Sequence, residues 1–313
     1  ELDKYVWTNA EVFVAKVKLL NFSQNDISDR IIHWELKKHS GTVLNSGIMK
    51  VKNVVCGEIG YIGELKVELG SISEPQQFEL ILSDKKSDLK NNYRIWVFPA
   101  QNKATQQIRI YRRLTDELLS KIEAGEKVIL VPDTAEIRNN STGGLFTSDY
   151  WNYAMFKGIS IRAKKPVSPG TMGLLINHKH PVFNSFPTGK YADWQWWSIM
   201  KNSRPIFLNA TNEKYRPIVQ VVDNVERASK LGLMFEFKIG KGAILVCSAD
   251  LSLKGDVAID ALKNSIIRYV SSDDFNPKQQ VTNEELMNII YKSRVIDRVR
   301  STNDESNVEG YFN

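Results

Sequence analysis

The spacing of hydrophobic residues changes near residue 100, and this change constrains the fold of the 313-residue chain more than any other feature. Before it, apolar and polar residues alternate, as in EVFVAKVKLLNFS, RIIHWELKK and QQFELILSD. After it, apolar runs such as EKVILVP and GAILVCSADL do not alternate and are interleaved with helical segments. Alternation is typical of strands with one buried face, and unbroken apolar runs are typical of strands buried on both faces. The sequence therefore predicts two domains of different class.

The first predicted domain, residues 1–99, is all-β. Turn signals such as HSG and LNSG separate its apolar-polar segments. About seven short strands within about 100 residues are typical of a β-sandwich of the immunoglobulin type. We therefore predict an N-terminal immunoglobulin-like sandwich, and we expect Trp34 in its core because Trp34 lies on the apolar face of RIIHWELKK.

The second predicted domain, residues 106–275, is an α/β layered domain, because strand-like and helix-like segments alternate along it. The segment TDELLSKIEAG predicts a helix with Thr115 as its N-cap and Gly125 just beyond its end. The segment VAIDALKNSIIRYVSS predicts an amphipathic helix. The strand candidates between them are MGLLI, RPIFLN, YRPIVQVVD, LGLMFEFKIG and GAILVCSADL.

Two further segments complete the predicted organisation. Residues 100–105 form a polar linker between the domains. Residues 276–313 form a C-terminal helix followed by a polar tail. The helix, VTNEELMNIIYKSRVIDRVR, begins with Thr282 and Glu285 at the spacing of a capping box, in which each side chain accepts a hydrogen bond from the other residue's backbone.

Charge and hydropathy exclude two classes of partner. The formal net charge is +6, but the basic residues form no dense run, whereas nucleic-acid binding requires a concentrated basic stripe. No apolar run approaches the roughly 20 residues of a membrane-spanning helix. The chain opens with ELDKYVWT and not with Met, which suggests a cut or processed chain.

The sequence lacks the nucleophile motifs of α/β enzymes. Neither Gly-x-Cys-x-Gly nor Gly-x-Ser-x-Gly occurs. Among the four histidines only His33 has an acidic residue two positions later, Glu35, and it lies in the predicted sandwich and not in the α/β domain. Cys247 lies in the apolar run AILVCSADL without flanking glycines. We therefore predict that Cys247 is an inert buried thiol and that the chain alone does not act as an amidotransferase or serine hydrolase.

The segment NHKHP places His178 and His180 two residues apart, a spacing that puts both on one face of a strand. Two metal ligands without a third nearby make an incomplete site. A loop histidine that hydrogen-bonds to backbone before Pro181 is the favoured interpretation. We predict no bound metal and no cofactor.

Three of the seven tryptophans, Trp194, Trp196 and Trp197, fall within four positions of YADWQWWSIM. If this segment is helical, Trp194 and Trp197 share a face and Asp193 lies in the first turn, where a carboxylate favours the helix dipole. We expect Trp194 and Trp197 to pack into the core or against the sandwich, and Trp196 to stay at the surface. The alternative is a platform on which sugar rings stack, built from all three.

Two long segments resemble a known family. HKHPVFNSFPTGKYADWQWWSIMKNSRPIFLN and RPIVQVVDNVERASKLGLMFEFKIGKGAILVCSADL are similar to the C-terminal region of large Bacteroidetes enzymes of glycoside hydrolase family two, the β-galactosidase, β-glucuronidase and β-mannosidase relatives. The sandwich-closing segment NNYRIWVFP is similar to the end of the immunoglobulin-like domain that follows the catalytic barrel in those enzymes.

The resemblance implies that the second domain is a non-catalytic layered domain with a flavodoxin-like, class I glutamine amidotransferase-like fold. It also implies an accessory fragment of a secreted or periplasmic glycoside hydrolase acting on β-linked glycans. Its main partner would be the upstream catalytic barrel of the same polypeptide, with carbohydrate and a second copy of the chain as further partners. The family's catalytic glutamates lie on that barrel, so no catalytic residue carries over. The alternative function is a stand-alone carbohydrate-binding module that uses the tryptophan cluster.

Overall fold

The computed structural model describes residues 1–87, 89–100, 104 and 108–292. The chain divides into two compact units, Glu1–Lys103 and Ala104–Asn313. Most of the predicted linker, and residues 293–313 of the predicted C-terminal helix and tail, lie outside the described residues. Strands dominate the first unit, and the second combines a sheet with a few helices. Within the described part of the chain, no helix is long and apolar enough to cross a membrane.

The first unit consists of two β-sheets. Over its described residues the strands are β1 (Val6–Thr8), β2 (Val12–Leu20), β3 (Ile27–Lys38), β4 (Val43–Val54), β5 (Ile59–Glu68), β6 (Gln76–Asp84) and β7 (Leu89–Phe98). One sheet has the order β1-β7-β6-β3-β4, and β2 pairs with β5 in the other. All pairs are antiparallel except β1 and β7, which run parallel.

The core of the first unit follows from the alternation in its sequence. On β2, Phe13 and Ala15 are buried, whereas Lys16 and Lys18 point to solvent. Trp34 lies in the core, as predicted. Apolar residues from both sheets form one core, and their contacts hold the two sheets together.

The second unit contains a mixed sheet and several helices. Its described elements are β8 (Ile110–Tyr111), α1 (Asp116–Ala124), β9 (Lys127–Leu130), α2 (Tyr153–Arg162), β10 (Gly173–Ile176), α3 (Trp197–Lys201), β11 (Ile206–Phe207), β12 (Val219–Val222), β13 (Leu231–Ile239), β14 (Gly242–Cys247), α4 (Val257–Ser271) and α5 (Asn283–Met287). The strand order is β10-β12-β13-β14-β9-β8, and β11 pairs with β13. Short 3₁₀ helices precede several of these elements.

Only part of this sheet is parallel. The run EKVILVP forms β9, which lies parallel to both β8 and β14. The pairs from β10 through β14 are antiparallel, so the sheet differs from the all-parallel sheet of a flavodoxin-like fold. At one of these pairs the reason is local: β13 and β14 form a hairpin with a two-residue turn at Gly240 and Lys241, which reverses the chain without a crossover helix.

The helix boundaries follow the capping signals in the sequence. The Thr115 hydroxyl accepts a hydrogen bond from the Leu118 backbone at the start of α1, and the Gly125 backbone closes its end. Thr282 and Glu285 form the predicted capping box at the start of α5. Within the described residues, the predicted C-terminal helix is α-helical over Asn283–Met287, and a π-helical turn continues it to Lys292, the last described residue.

Candidate functional site

The tryptophan cluster lies on two successive short helices. A 3₁₀ helix covers Trp194–Trp196, and α3 continues it from Trp197. The Asp193 carboxylate caps the start by accepting a hydrogen bond from the Trp194 backbone at 2.9 Å. Ser198 donates a hydrogen bond to Asp256, the N-cap residue of α4. The segment is thus fixed at both its beginning and its middle.

The structure reverses the predicted roles of the three rings, beginning with Trp196, which is completely buried. Its indole N–H donates to the Thr188 hydroxyl at 2.8 Å. Its ring meets Phe186 edge to face at a centroid distance of 5.2 Å, and Phe183 at 6.0 Å. The prediction that Trp196 lies at the surface is wrong, and Trp196 cannot form part of a sugar platform.

Trp194 and Trp197 are the exposed members of the cluster, with 48% and 52% of their surface accessible. They share a face, as their spacing indicates, but that face points outward because Trp196, Ile199 and Met200 occupy the inner side. The prediction that the pair packs into the core of the second domain is therefore wrong, and packing against the sandwich stays a prediction. Their ring centroids are 6.3 Å apart and the ring planes are tilted by 53°. We call this pair the tryptophan face.

Exposed aromatic rings such as these can contact a glycan or another protein segment. The tryptophan face cannot lie flat on one sugar ring, because its two rings are not coplanar. Each ring can instead cover one apolar surface of a bent glycan or of another protein segment. Tyr191, three residues before Trp194, is 64% exposed, and the Lys190 ammonium lies 5.6 Å from its ring centroid. Exposed apolar patches of this kind typically mark interaction sites.

The two candidate metal ligands have different surroundings. His178 is exposed, whereas His180 is the N-cap of a 3₁₀ helix, and its Nδ1 accepts a hydrogen bond from the Val182 backbone at 3.4 Å. His180 Nε2 faces Glu236 Oε1 at 3.6 Å. Across the described ranges, no three His, Cys, Asp or Glu side chains are grouped to hold a metal ion.

Cys247 is fully buried in β14. Burial raises the pKa of its thiol from 9.0 to about 12. A thiol with so high a pKa is protonated at neutral pH, and no reagent reaches it without opening the sheet. Cys247 therefore cannot act as a nucleophile in the folded protein.

Sequence reasoning missed a polar cluster around Glu236. The Tyr269 hydroxyl donates to Glu236 Oε2 at 2.9 Å, and the His180 ring packs edge to face on Tyr269 at 5.0 Å. Burial and the neighbouring Glu236 carboxylate raise the pKa of Tyr269 above its ordinary value. The signal was available, because Glu236 is a charged residue between two phenylalanines at the end of the apolar run LGLMF.

A second missed pair is Asp223 with Arg227, which are almost completely buried. The Arg227 guanidinium donates to both carboxylate oxygens of Asp223 at 2.7–3.1 Å and to the Pro169 carbonyl at 2.7 Å. The Asp223 carboxylate also accepts from the Ser229 backbone at 2.9 Å. These bonds hold the VVDNVERAS loop, so the pair is structural.

The chain matches two known families of domains. Residues 109–291, more than half of it, match the model of a domain of unknown function, DUF8487. The chain belongs to the DUF8487 family. Residues 11–99 match a second domain of unknown function, DUF8488. The DUF8487 region includes both the tryptophan face and Glu236. No curated protein matches the sequence significantly.

Solved structures similar to this DUF8487 protein include glycoside hydrolases. A Bacteroides uniformis β-glucuronidase is 12% identical, with a TM-score of 0.23 over 41% of this chain and 19% of its own. A β-glucuronidase from glycoside hydrolase family 2 is 11% identical, with a TM-score of 0.25 over 41% of this chain and 17% of its own. The periplasmic chaperone SfaE is 7% identical, with a TM-score of 0.25 over 79% of this chain and 96% of its own. The chain thus spans less than a fifth of the length of these β-glucuronidases.

Proposed function

We propose that this DUF8487 protein is a non-catalytic accessory region of a secreted or periplasmic glycoside hydrolase that acts on β-linked glycans. Its two units would be an immunoglobulin-type sandwich and an amidotransferase-like layered domain. They would brace or shape an upstream catalytic barrel of the same polypeptide. The proposal combines the sequence resemblance with one structural observation, the tryptophan face.

The tryptophan face supports a contact role on energetic grounds. A tryptophan side chain buries about 150–250 Å² when fully covered, so each half-exposed ring leaves about 100 Å² in water. Covering that area contributes roughly 2–3 kcal/mol per ring at about 25 cal/mol per Å². The Asp193 cap and the buried Trp196 hold both rings in place, so little conformational entropy is lost when a partner binds.

The second candidate function is carbohydrate binding by the tryptophan face itself. The observation that favours it is the tilt of 53° between two exposed rings whose centroids are 6.3 Å apart. This geometry matches two consecutive sugar units whose faces are not coplanar. Trp196 has no part in this alternative because it is buried.

One experiment separates the two functions. The chain is titrated with β-linked oligosaccharides of galactose, mannose and glucose, and it is mixed separately with the upstream region of its polypeptide. The accessory role predicts no glycan binding, and association with the upstream region that is lost in the Trp194→Ala/Trp197→Ala variant. Glycan binding lost in the same variant would establish the alternative.

The matched control is Trp151→Ala, which removes another exposed tryptophan of the same unit. This control should leave association unchanged. If the double variant and the control lose association equally, the tryptophan face is not the contact surface. If the chain binds neither glycan nor upstream region, both functions are contradicted.

A further inference from the structure

A surface depression of the second unit surrounds the polar cluster at Glu236. Its volume is about 780 Å³, within the range of roughly 300–1,000 Å³ typical of small-molecule sites. None of its lining residues belongs to the tryptophan face. Its lining residues include His180, Lys214, Tyr215, Glu236, Tyr269 and Lys278.

The floor of the depression offers an open hydrogen-bond acceptor. Glu236 is 15% exposed, and its Oε2 is occupied by the Tyr269 hydroxyl. Its Oε1 receives no hydrogen bond from any described residue, because His180 Nε2 is 3.6 Å away. The Nδ1 of His180 accepts a hydrogen bond from the Val182 backbone, which leaves Nε2 to carry the ring hydrogen. His180 and Glu236 both line the depression, so a donor and an acceptor lie there 3.6 Å apart.

The position of Glu236 is fixed before any ligand arrives. The Tyr215 hydroxyl donates a hydrogen bond to the Glu236 carbonyl at 3.0 Å. The same hydroxyl accepts a hydrogen bond from the Glu236 backbone nitrogen at 3.3 Å. The pairing of β12 with β13 ends at Met234, two residues before Glu236. The Tyr215 hydroxyl takes the place of a strand there, because it bonds both the N–H and the carbonyl of Glu236. Burial raises the pKa of Tyr215 above its ordinary value, so this hydroxyl remains protonated and able to donate.

The rim carries two free ammonium groups. Within the described ranges, neither Lys214 nor Lys278 has a carboxylate within 4 Å. Lys214 sits in a turn whose backbone donates to Asn212 Oδ1 at 2.9 Å. The segment of Lys278 is joined to β13 by a 2.8 Å hydrogen bond from Lys238 to Gln279. Asp274 also lines the depression, but the basic residues outnumber it on the rim.

We propose that this depression binds a small polyhydroxylated acid of the sugar-acid class. One or two of its hydroxyl groups donate to Glu236 Oε1 and accept from His180 Nε2. Its carboxylate lies between Lys214 and Lys278. The site is independent of the proposed accessory function, since it uses neither the tryptophan face nor an upstream domain.

The mixed charge of the site selects this class over simpler ligands. A neutral sugar satisfies Glu236 but leaves the ammonium groups without a partner. A plain anion satisfies the ammonium groups but brings its charge toward the Glu236 carboxylate without a hydroxyl to donate. A molecule with both groups uses the whole site, and charge-assisted hydrogen bonds are the stronger kind.

The test is an NMR titration of the ¹⁵N-labelled chain with D-glucuronate, D-glucose and acetate. D-glucuronate should shift the amide signals of residues around Glu236 and bind about tenfold more tightly than either other probe. Lys214→Gln/Lys278→Gln should reduce its affinity about tenfold, and Glu236→Gln should do the same. The control Lys254→Gln removes an exposed lysine outside the depression and should change nothing.

The lysine variants keep the test decisive if Glu236→Gln fails to fold, because both lysines are exposed. Equal affinity for D-glucuronate and acetate would overturn the proposal, and so would unchanged affinity in the double lysine variant. Loss of glucuronate binding in Lys254→Gln as well would also overturn it, because the attraction would then be a general effect of charge.

Discussion

At the residue scale, Trp196 anchors a short helix whose other two tryptophans face outward. It fills a pocket between Phe183 and Phe186, and its single N–H is satisfied by Thr188. Trp196→Ala should therefore destabilise the protein by about 3–5 kcal/mol, the usual cost of removing a large buried aromatic side chain. Trp194→Ala and Trp197→Ala should each cost much less, because half of each ring is already in water. Urea denaturation of the three variants measures this difference.

A large loss of stability in Trp194→Ala or Trp197→Ala, with little loss in Trp196→Ala, would contradict the assigned burial. The sequence could not decide this point by itself. Trp194 and Trp197 have helical spacing, and so do Trp196, Ile199 and Met200. Both sets form an apolar stripe, and only the tertiary contacts of Phe183 and Phe186 determine which stripe faces inward.

The buried pair of Asp223 and Arg227 gives a second prediction at this scale. Arg227→Ala leaves the Asp223 carboxylate buried without its cation, so we expect a loss of about 3–5 kcal/mol. The control is Lys121→Ala, which breaks an exposed pair of the same spacing with Glu117 and should change stability little. Thermal unfolding of both variants measures the effect. Equal stability of the two variants would show that the buried pair contributes nothing.

At the element scale, the β13–β14 hairpin depends on Gly240. Its φ of +55° is unfavourable for other residues, and a Cβ there would lie 2.8 Å from the Glu123 carbonyl oxygen. Gly240→Ala should cost about 2–4 kcal/mol, the sum of backbone strain and overpacking. Gly255→Ala is the matched control, because Gly255 has a φ of +82° but open space around it.

The control should cost only about 1–2 kcal/mol, from the backbone alone. Equal losses in the two variants would mean that contact between Gly240 and α1 does not affect stability.

The sequence predicted most elements correctly because local signals define them, as the Thr115 cap defines α1. It did not reveal strand direction in β10 to β13, since an apolar strand has the same pattern in parallel and antiparallel pairing.

At the scale of the whole molecule, the division into Glu1–Lys103 and Ala104–Asn313 predicts two independently folding units. Each has its own buried cluster, one around Phe13 and Trp34 and one around Phe235 and Ile244. Residues 1–103 and 104–313, expressed separately, should each unfold cooperatively. The sum of their circular dichroism spectra should equal that of the whole chain. An unfolded fragment would contradict the division.

The change in hydrophobic spacing near residue 100 predicted a β-rich chain of more than one unit, because each architecture imposes its own periodicity. The sequence marks Glu236 as unusual, but it does not show that His180 and Tyr269 lie beside it, because the three residues are far apart in the chain. The exact position of the linker at residues 100–105 stays a prediction.

We propose that Trp194 and Trp197 form a contact surface of the protein, and that the buried Trp196 holds them in place. The most direct measurement is ¹⁹F NMR of the chain labelled with 5-fluorotryptophan, with signals assigned by single Trp→Phe variants. A soluble gadolinium chelate should broaden the signals of Trp194 and Trp197 and spare that of Trp196. Adding the upstream region or a β-linked oligosaccharide should then shift the first two signals and protect them from the chelate. Broadening of Trp196, or binding of either partner without a change at Trp194 and Trp197, would contradict the account.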